Sequence, residues 1–285
     1  MTPSLPQSRR ARRARLGAEL RRLRQLSGVS GQAVADALGV NRASVSRVEA
    51  GERPLSMPDL ATWAQVLGAA GDDLSRLEWL AEQALTDAIP VPELQAALGE
   101  AGIQADIGNR LERTSHLIVS YCTGRLTGLL QTSEYARRIY SLLVTPDEIG
   151  AAVAERMNRQ QVLYDPARRL EFILTEASLR WRTGSPDFLL PQMDRLISLS
   201  SLPNVALYVI PSDASMRTTP GVEFTLYDER DGEEQPMVAL ELPHDYIETE
   251  KAQPYRDKAV LLRQSALSGD DAIVFIRDLA RRIAP

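Results

Sequence analysis

The sequence is poor in the residues that mark secreted, metal-binding and redox proteins. Among 285 residues there is one cysteine, Cys122, and there are two histidines, His116 and His244. A single cysteine excludes an intrachain disulfide framework and fits a reducing cytoplasm. The histidines stand far apart, with no cysteine or carboxylate neighbours at ligand spacing, so no metal site is expected. Lysine is scarce as well: Lys251 and Lys258 are the only two, and arginine carries the rest of the positive charge. No apolar run is long enough to span a bilayer. The arginine-rich start is not followed by the apolar stretch of a secretory signal. Glycine-rich loops of the GxGxxG and P-loop types are missing, as is a GxSxG elbow. With no convergent acid, base and nucleophile either, neither enzyme activity nor a cofactor is expected.

What is present is ordinary globular composition, 44% hydrophobic and 25% charged, in a chain long enough for two domains. The formal net charge of -5 is unevenly spread. Eight arginines from Arg9 to Arg24 crowd the start with Glu19 as the only acid among them, whereas "DERDGEE" (residues 228–234) is strongly acidic. A basic head on an acidic body implies a local anionic partner. The acidic run reads as a solvated hairpin loop, or else as a docking surface for a basic partner.

Periodicity divides the chain. Residues 1–11 read as a disordered basic arm, residues 12–88 as a mostly α, five-helix domain, and residues 89–285 as an α+β domain. Leu16, Leu20, Leu23 and Leu26 recur at helical spacing in the first helix. Ser30, Asn41 and Ser56 suit the caps of the second, third and fourth helices, with Pro58 in the first turn of the fourth. Leu74, Leu77, Leu80, Ala81 and Leu85 make the face of the fifth. "IPVP" (residues 89–92) is the expected hinge, since its prolines disfavour helix on either side. Beyond it, helices are expected over about 93–112, from Ser133, over 146–164 and over 186–199. "LIVSY", "RLEFILTE", "NVALYVIP", "VEFTLYDE" and "MVALELP" read as strands of a small sheet, antiparallel where sequential strands pair. Two helices, about 254–267 and 271–283, close the chain. Cys122, Trp79, Trp181 and Tyr246 read as core residues. "TGLLQT" (127–132) lines a pocket or an interface, or packs a helix start.

One stretch carries chemistry: "GVNRASVSRVEAGERP", residues 39–54. A short helix from Arg42 would turn Val45 and Val48 inward and Arg42, Ala43, Ser46 and Arg47 outward near its start. Two short helices joined by a tight turn at Gly39, the second polar outside, form a helix-turn-helix unit. Arginine can donate two hydrogen bonds to guanine, and Ala43 can sit against a thymine methyl. Arg42, Ala43, Ser46 and Arg47 are therefore the expected base readers of double-stranded DNA. Asn41, Ser44, Arg53, Arg12 and Arg13 suit phosphates, which set register without reading sequence.

Residues 16–67 resemble the Cro/repressor-like (XRE) helix-turn-helix family, on "LGAELRRLRQLSGVS", "AVADALGVNRASVSRVEAG" and "LATWAQVLG". The resemblance implies a structural ion pair, Arg24 with Glu49. The family's glutamine at the second position of helix two, a phosphate contact, is replaced here by Gly31, with Gln32 next in line as the substitute. "TGLLQTSEYARRI", "ERMNRQQVL", "LEFILTEASLRW" and "MDRLISLSSLPNVALYVIP" are similar to the C-terminal domain of a large actinobacterial regulator group of WhiJ type. That implies a regulator of development or antibiotic production whose C-terminal domain binds a small BldB-like protein; a sequence-specific DNA-binding homodimer whose C-terminal domain senses a small protein or effector and helps to dimerise is the expected function. An antitoxin-like protein that neutralises a small partner and autoregulates its operon is the alternative.

Overall fold

In the computed structural model, which describes residues 9–85, 88–181, 188–228, 236–242 and 245–283, the chain divides into two units between Ile89 and Pro90. The first unit is five helices. α1 (Arg9–Leu26) starts three residues earlier than periodicity suggests, because arginine and alanine are strong helix formers. Arg9, Arg10 and Ala11 thus belong to a helix and not to an arm, while residues 1–8 lie outside the described ones. Leu16, Leu20 and Leu23 are buried, but Leu26, the last residue of α1, is exposed. α2 (Gly31–Ala37), α3 (Arg42–Glu49) and α4 (Met57–Leu67) begin at side-chain caps. Ser30 Oγ accepts from Ala33 N at 3.1 Å, and Ser56 Oγ accepts from Asp59 N at 3.2 Å. α5 (Asp72–Leu85) buries Leu77, Leu80, Ala81 and Ala84. Trp79 of α5 is 57% exposed, which corrects its assignment to the core. Trp63 sits fully buried within this leucine, valine and alanine core.

Two glycines let α1 press onto α3. A Cβ on Gly17 would lie 2.5 Å from the carbonyl oxygens of Val48 and Glu49. On Gly51 it would lie 2.6 Å from Ala14 Cα. No side chain fits either crossing, so backbone meets backbone there.

The second unit follows a short extended segment, β1 (Ala88–Pro90). The prolines of "IPVP" do not forbid helix after them: α6 (Val91–Ile107) starts at once, with Pro92 in its first turn, where a missing N–H costs nothing. α6 kinks at Gly99 and runs into a π-turn, Gly108–Glu112. Arg168 closes that turn by donating to the carbonyls of Glu112 (2.9 Å), Arg113 and Ser115.

The sheet corrects the expectation of a small antiparallel one. The seven strands that lie wholly in this unit are β2 (Leu117–Cys122), β3 (Arg169–Thr175), β4 (Val205–Ile210), β5 (Phe224–Asp228), β6 (Met237–Glu241), β7 (Asp245–Thr249) and β8 (Leu267–Ser268). Their order is β7-β6-β5-β2-β3-β4-β8. β2, β3 and β4 are parallel neighbours, in register Leu117↔Arg169 and Leu170↔Val205. The remaining pairs are antiparallel. Parallel strands need long crossovers. Here α7 (Ser133–Tyr140) and α8 (Ile149–Arg159) fill the first, and α9 (Glu176–Arg180) and α10 (Leu189–Leu199) the second. α7 is capped by Thr132, whose Oγ1 accepts from Tyr135 N at 3.2 Å, one residue before the expected Ser133. The expected helix over 146–164 is α8 followed by a 3-10 turn, Gln160–Tyr164. α11 (Gln253–Arg263) and α12 (Gly269–Ile283) close the chain. Val119, Tyr121, Ile173, Phe224, Leu226, Ala259 and Leu262 form one apolar cluster that packs α11 on the sheet. The acidic run's residues 229–234 and His244 lie outside the described residues.

Candidate nucleic-acid interface

α3 is only eight residues long, so its rigidity comes from its ends and its packing. Asn41 caps it: Oδ1 accepts from Ser44 N at 2.8 Å and from Ser44 Oγ at 2.9 Å. Val45 and Val48 are buried against the core. The 3.6-residue repeat then turns Arg42, Ala43, Ser46 and Arg47 to the outside, and all four are exposed. A run of side chains at the start of a helix, three of them polar and one a methyl, is the arrangement that meets base edges in a major groove.

The arginines are placed by their neighbours. Arg47 Nη2 reaches back to Ser44 Oγ at 3.4 Å, so its guanidinium lies over the first turn of α3. A Cβ on Gly31 would stand 4.0 Å from Arg42 Nε. Gly31 thus puts no side chain beside the Arg42 guanidinium at the start of α2.

The phosphate candidates divide. Arg53 is exposed just beyond α3, with its backbone N–H on Arg47 O at 3.3 Å. Asn41 is exposed and committed to capping through its oxygen. Gln32 is exposed, but its Nε2 donates to Asp36 Oδ1 at 2.8 Å, so it carries a carboxylate beside it. Ser44 is 5% exposed, and this corrects its assignment to phosphate: the cap draws its hydroxyl inward. Arg12 is likewise buried and Arg13 half-buried, because both lie on the leucine-bearing stretch of α1 and not in a free arm.

Arg24 and Glu49 meet as a two-point pair. Arg24 Nε donates to Glu49 Oε1 at 2.6 Å and Nη2 to Oε2 at 2.9 Å. A third donor, Nη1, reaches Val29 O at 3.4 Å. The hydrogen bond to Glu49, opposed by burial, raises the Arg24 pKa above its ordinary value. A second knot ties α1 to α5, where Glu19 holds Arg22 at 2.8 Å and Arg76 at 3.2 Å. The Arg22 hydrogen bond keeps the Glu19 carboxyl below its usual range despite desolvation.

Sequence reasoning missed Gly17. The available signal was a glycine inside a leucine-periodic helix, which is costly unless another element passes close by.

Comparison with known families follows this division. Residues 15–77 match the family described as a helix-turn-helix domain. Residues 109–278 match the family described as a domain of unknown function, DUF5753. No curated protein and no solved structure matches the chain. No helix among the described residues is long and apolar enough to cross a membrane. Its first unit is a helix-turn-helix domain, and through the match that spans more than half its length the chain belongs to the DUF5753 family.

Proposed function

We propose that the protein is a sequence-specific DNA-binding transcriptional regulator that reads the major groove with α3. The observation that carries this is the exposed set Arg42, Ala43, Ser46 and Arg47 on a capped helix whose other face is anchored by Val45 and Val48. Arg42 and Arg47 are the donors suited to guanine, at about 1–3 kcal/mol of discrimination for a good two-point contact. Arg53 serves a phosphate. The finer reading is a homodimer on a near-palindromic operator, its two α3 helices about 34–36 Å apart. In that reading the second unit binds a small protein or effector, as the resemblance to the WhiJ group suggests.

Footprinting on the chain's own promoter region tests the DNA part. Arg47→Ala should relax base preference, whereas Arg53→Ala should weaken every sequence alike. Uniform loss on all sequences for both variants overturns the division of roles. Co-purification of the product of a neighbouring small gene tests the partner, and its absence leaves the regulator without one.

A further inference from the structure

The second unit holds a cleft that the DNA reading does not use. It opens at the carboxyl end of β2, the end at which open α/β sheets receive ligands. β5, β6 and β7 bring Glu223, Glu241 and Tyr246 to the same end, and α8 adds Arg156 and Arg159.

Several groups in the cleft lack the partners that burial demands. Tyr121 and Tyr246 are 1% and 5% exposed, and neither hydroxyl has a hydrogen-bond partner among the described residues. Arg156 is 6% exposed. Its Nη1 donates to Gln131 Oε1 at 2.7 Å, and its guanidinium lies 4.5 Å from the Tyr140 ring centroid. Among the described residues Arg156 Nε has no hydrogen-bond partner, and no carboxylate forms an ion pair with Arg156. Buried polar groups are normally paired, and a buried cation without a counter-ion is costly.

The neighbouring charges are already spoken for. Arg159 is paired with Glu112 (Nε to Oε2, 2.9 Å), and Arg125 is paired with Glu241. Glu223 Oε1 accepts from Thr123 N at 2.7 Å and Oγ1 at 3.0 Å, and from Gly124 N at 2.5 Å. Arg156 is therefore the one cation of the wall without an ion pair among the described residues. A single carboxylate can meet Arg156 with little added negative charge, whereas a phosphate dianion would bring a second charge against Glu223 and Glu241.

The remaining lining is aromatic. Tyr121 and Phe224 stack tilted at 5.8 Å between centroids, and Tyr227 and Tyr246 stand beside them. The cavity is about 70 Å³. At roughly 10–15 Å³ for each enclosed water, that suits a compact organic ion, not a nucleotide or a peptide.

The Arg156 side of the cleft is rigid. A Cβ on Gly128 would be 3.2 Å from Arg156 Nε, so the guanidinium rests on bare backbone. Three buried glutamines hold that backbone. Gln131 Nε2 donates to Leu126 O at 2.7 Å, Gln160 Nε2 to Gly128 O and Gln131 O, and Gln192 Nε2 to Leu130 O at 2.9 Å. Such bracing preorganises a binding group.

We propose that this cleft binds a small aromatic carboxylate, its anionic group against Arg156 and its ring beside Tyr121, Phe224 and Tyr246. The proposal gives the effector of the proposed function a chemical class. It rests on the second unit alone, so the DNA-binding reading can fail without touching it.

Calorimetric titration of the full chain with 4-hydroxybenzoate and benzoate tests it, with 4-hydroxybenzamide and inorganic phosphate as counter-probes. A carboxylate should bind at a single saturable site, about tenfold or more tighter than the neutral amide. Arg156→Gln should weaken that binding about tenfold or more. Tyr121→Phe keeps the ring and should weaken 4-hydroxybenzoate a few-fold. Thermal unfolding checks that Arg156→Gln is folded. Should it not fold, the amide comparison and Tyr121→Phe decide the matter. Equal binding of amide and carboxylate overturns the proposal, as does binding of phosphate alone. So does undiminished binding by folded Arg156→Gln, or no binding of either carboxylate at millimolar concentration.

Discussion

Glu49 closes α3 and receives two donors from Arg24 of α1, at 2.6 and 2.9 Å, so the helix that presents the exposed arginines is fastened at its far end to the longest helix of its unit. Both side chains are largely shielded from water, at 19% and 9% exposure. Arg24→Ala strands a shielded carboxylate and should cost about 1.5–3 kcal/mol. Chemical denaturation of the full chain measures this. A loss below a few tenths of a kcal/mol would show that the pair is ornamental.

Gly17→Ala places a methyl 2.5 Å from two carbonyl oxygens of α3. Since those oxygens belong to backbone, relief requires moving a helix, and the expected cost is about 1–3 kcal/mol. Hydrogen exchange should show the loss as weakened protection in α1 and α3. Unchanged protection there would mean that the crossing is looser than it looks.

Ser44 and Arg53 separate stability from DNA contact. Ser44→Ala removes a hydroxyl bonded to Asn41 at 2.9 Å and should cost about 1 kcal/mol of stability. Its salt dependence of DNA binding should stay that of the parent. Arg53→Ala should leave stability alone and lower the slope of log affinity against log salt by about 1. Affinity titrations at several salt concentrations distinguish the two, and a reduced slope for Ser44→Ala would return that residue to the interface.

Glu19 makes acid stability dependent on its arginines. Hydrogen bonding to Arg22 lowers its pKa in the folded chain, so the unfolded chain takes up the proton first as pH falls. The contribution is complete above the ordinary carboxyl value of 4.5 and is lost as pH drops through the lower folded value. Glu19→Gln should therefore flatten the acid limb of a stability–pH curve below about pH 4.5. A limb with the parent's steepness would assign acid unfolding to other carboxylates.

Gln192 is fully buried and serves two backbone groups, accepting from Thr132 N at 2.8 Å and donating to Leu130 O at 2.9 Å. Gln192→Leu keeps the bulk and abandons both, at about 1–3 kcal/mol each. Exchange of the amides from Leu126 to Thr132 should rise first. An unaltered rate there would show that Gln131 and Gln160 hold the loop without it.

Local signals in the sequence were readable where a single element carries them. Ser30, Asn41 and Ser56 announce helix starts by side-chain chemistry, and the two valines of α3 fix its inner face. Ser44 misled because periodicity places it on the flank of α3, and only the cap's second hydrogen bond draws it in. The sheet misled for a different reason. β2 and β3 are covered on both faces, so "LIVSYC" reads as a nearly continuous apolar run, which fits either strand direction. Partner order was hidden too, since β5 returns past β3 and β4 to pair with β2. Of the cleft, the stretch "TGLLQT" was legible as a lining through Thr127, Gly128 and Gln131, but Tyr121, Arg156, Phe224 and Tyr246 share no motif, and only strand order collects them.

That return of β5 sets a timetable for synthesis. Leu117 faces Asp228, so the near side of β2 has no neighbour until the ribosome has made both crossovers and begun the final meander. A polypeptide stopped after β4 carries three finished strands with an apolar border open to any passing chain, the template on which aggregates grow. Reaching Asp228 rather than stopping at Ile210 is thus a matter of solubility for this fold.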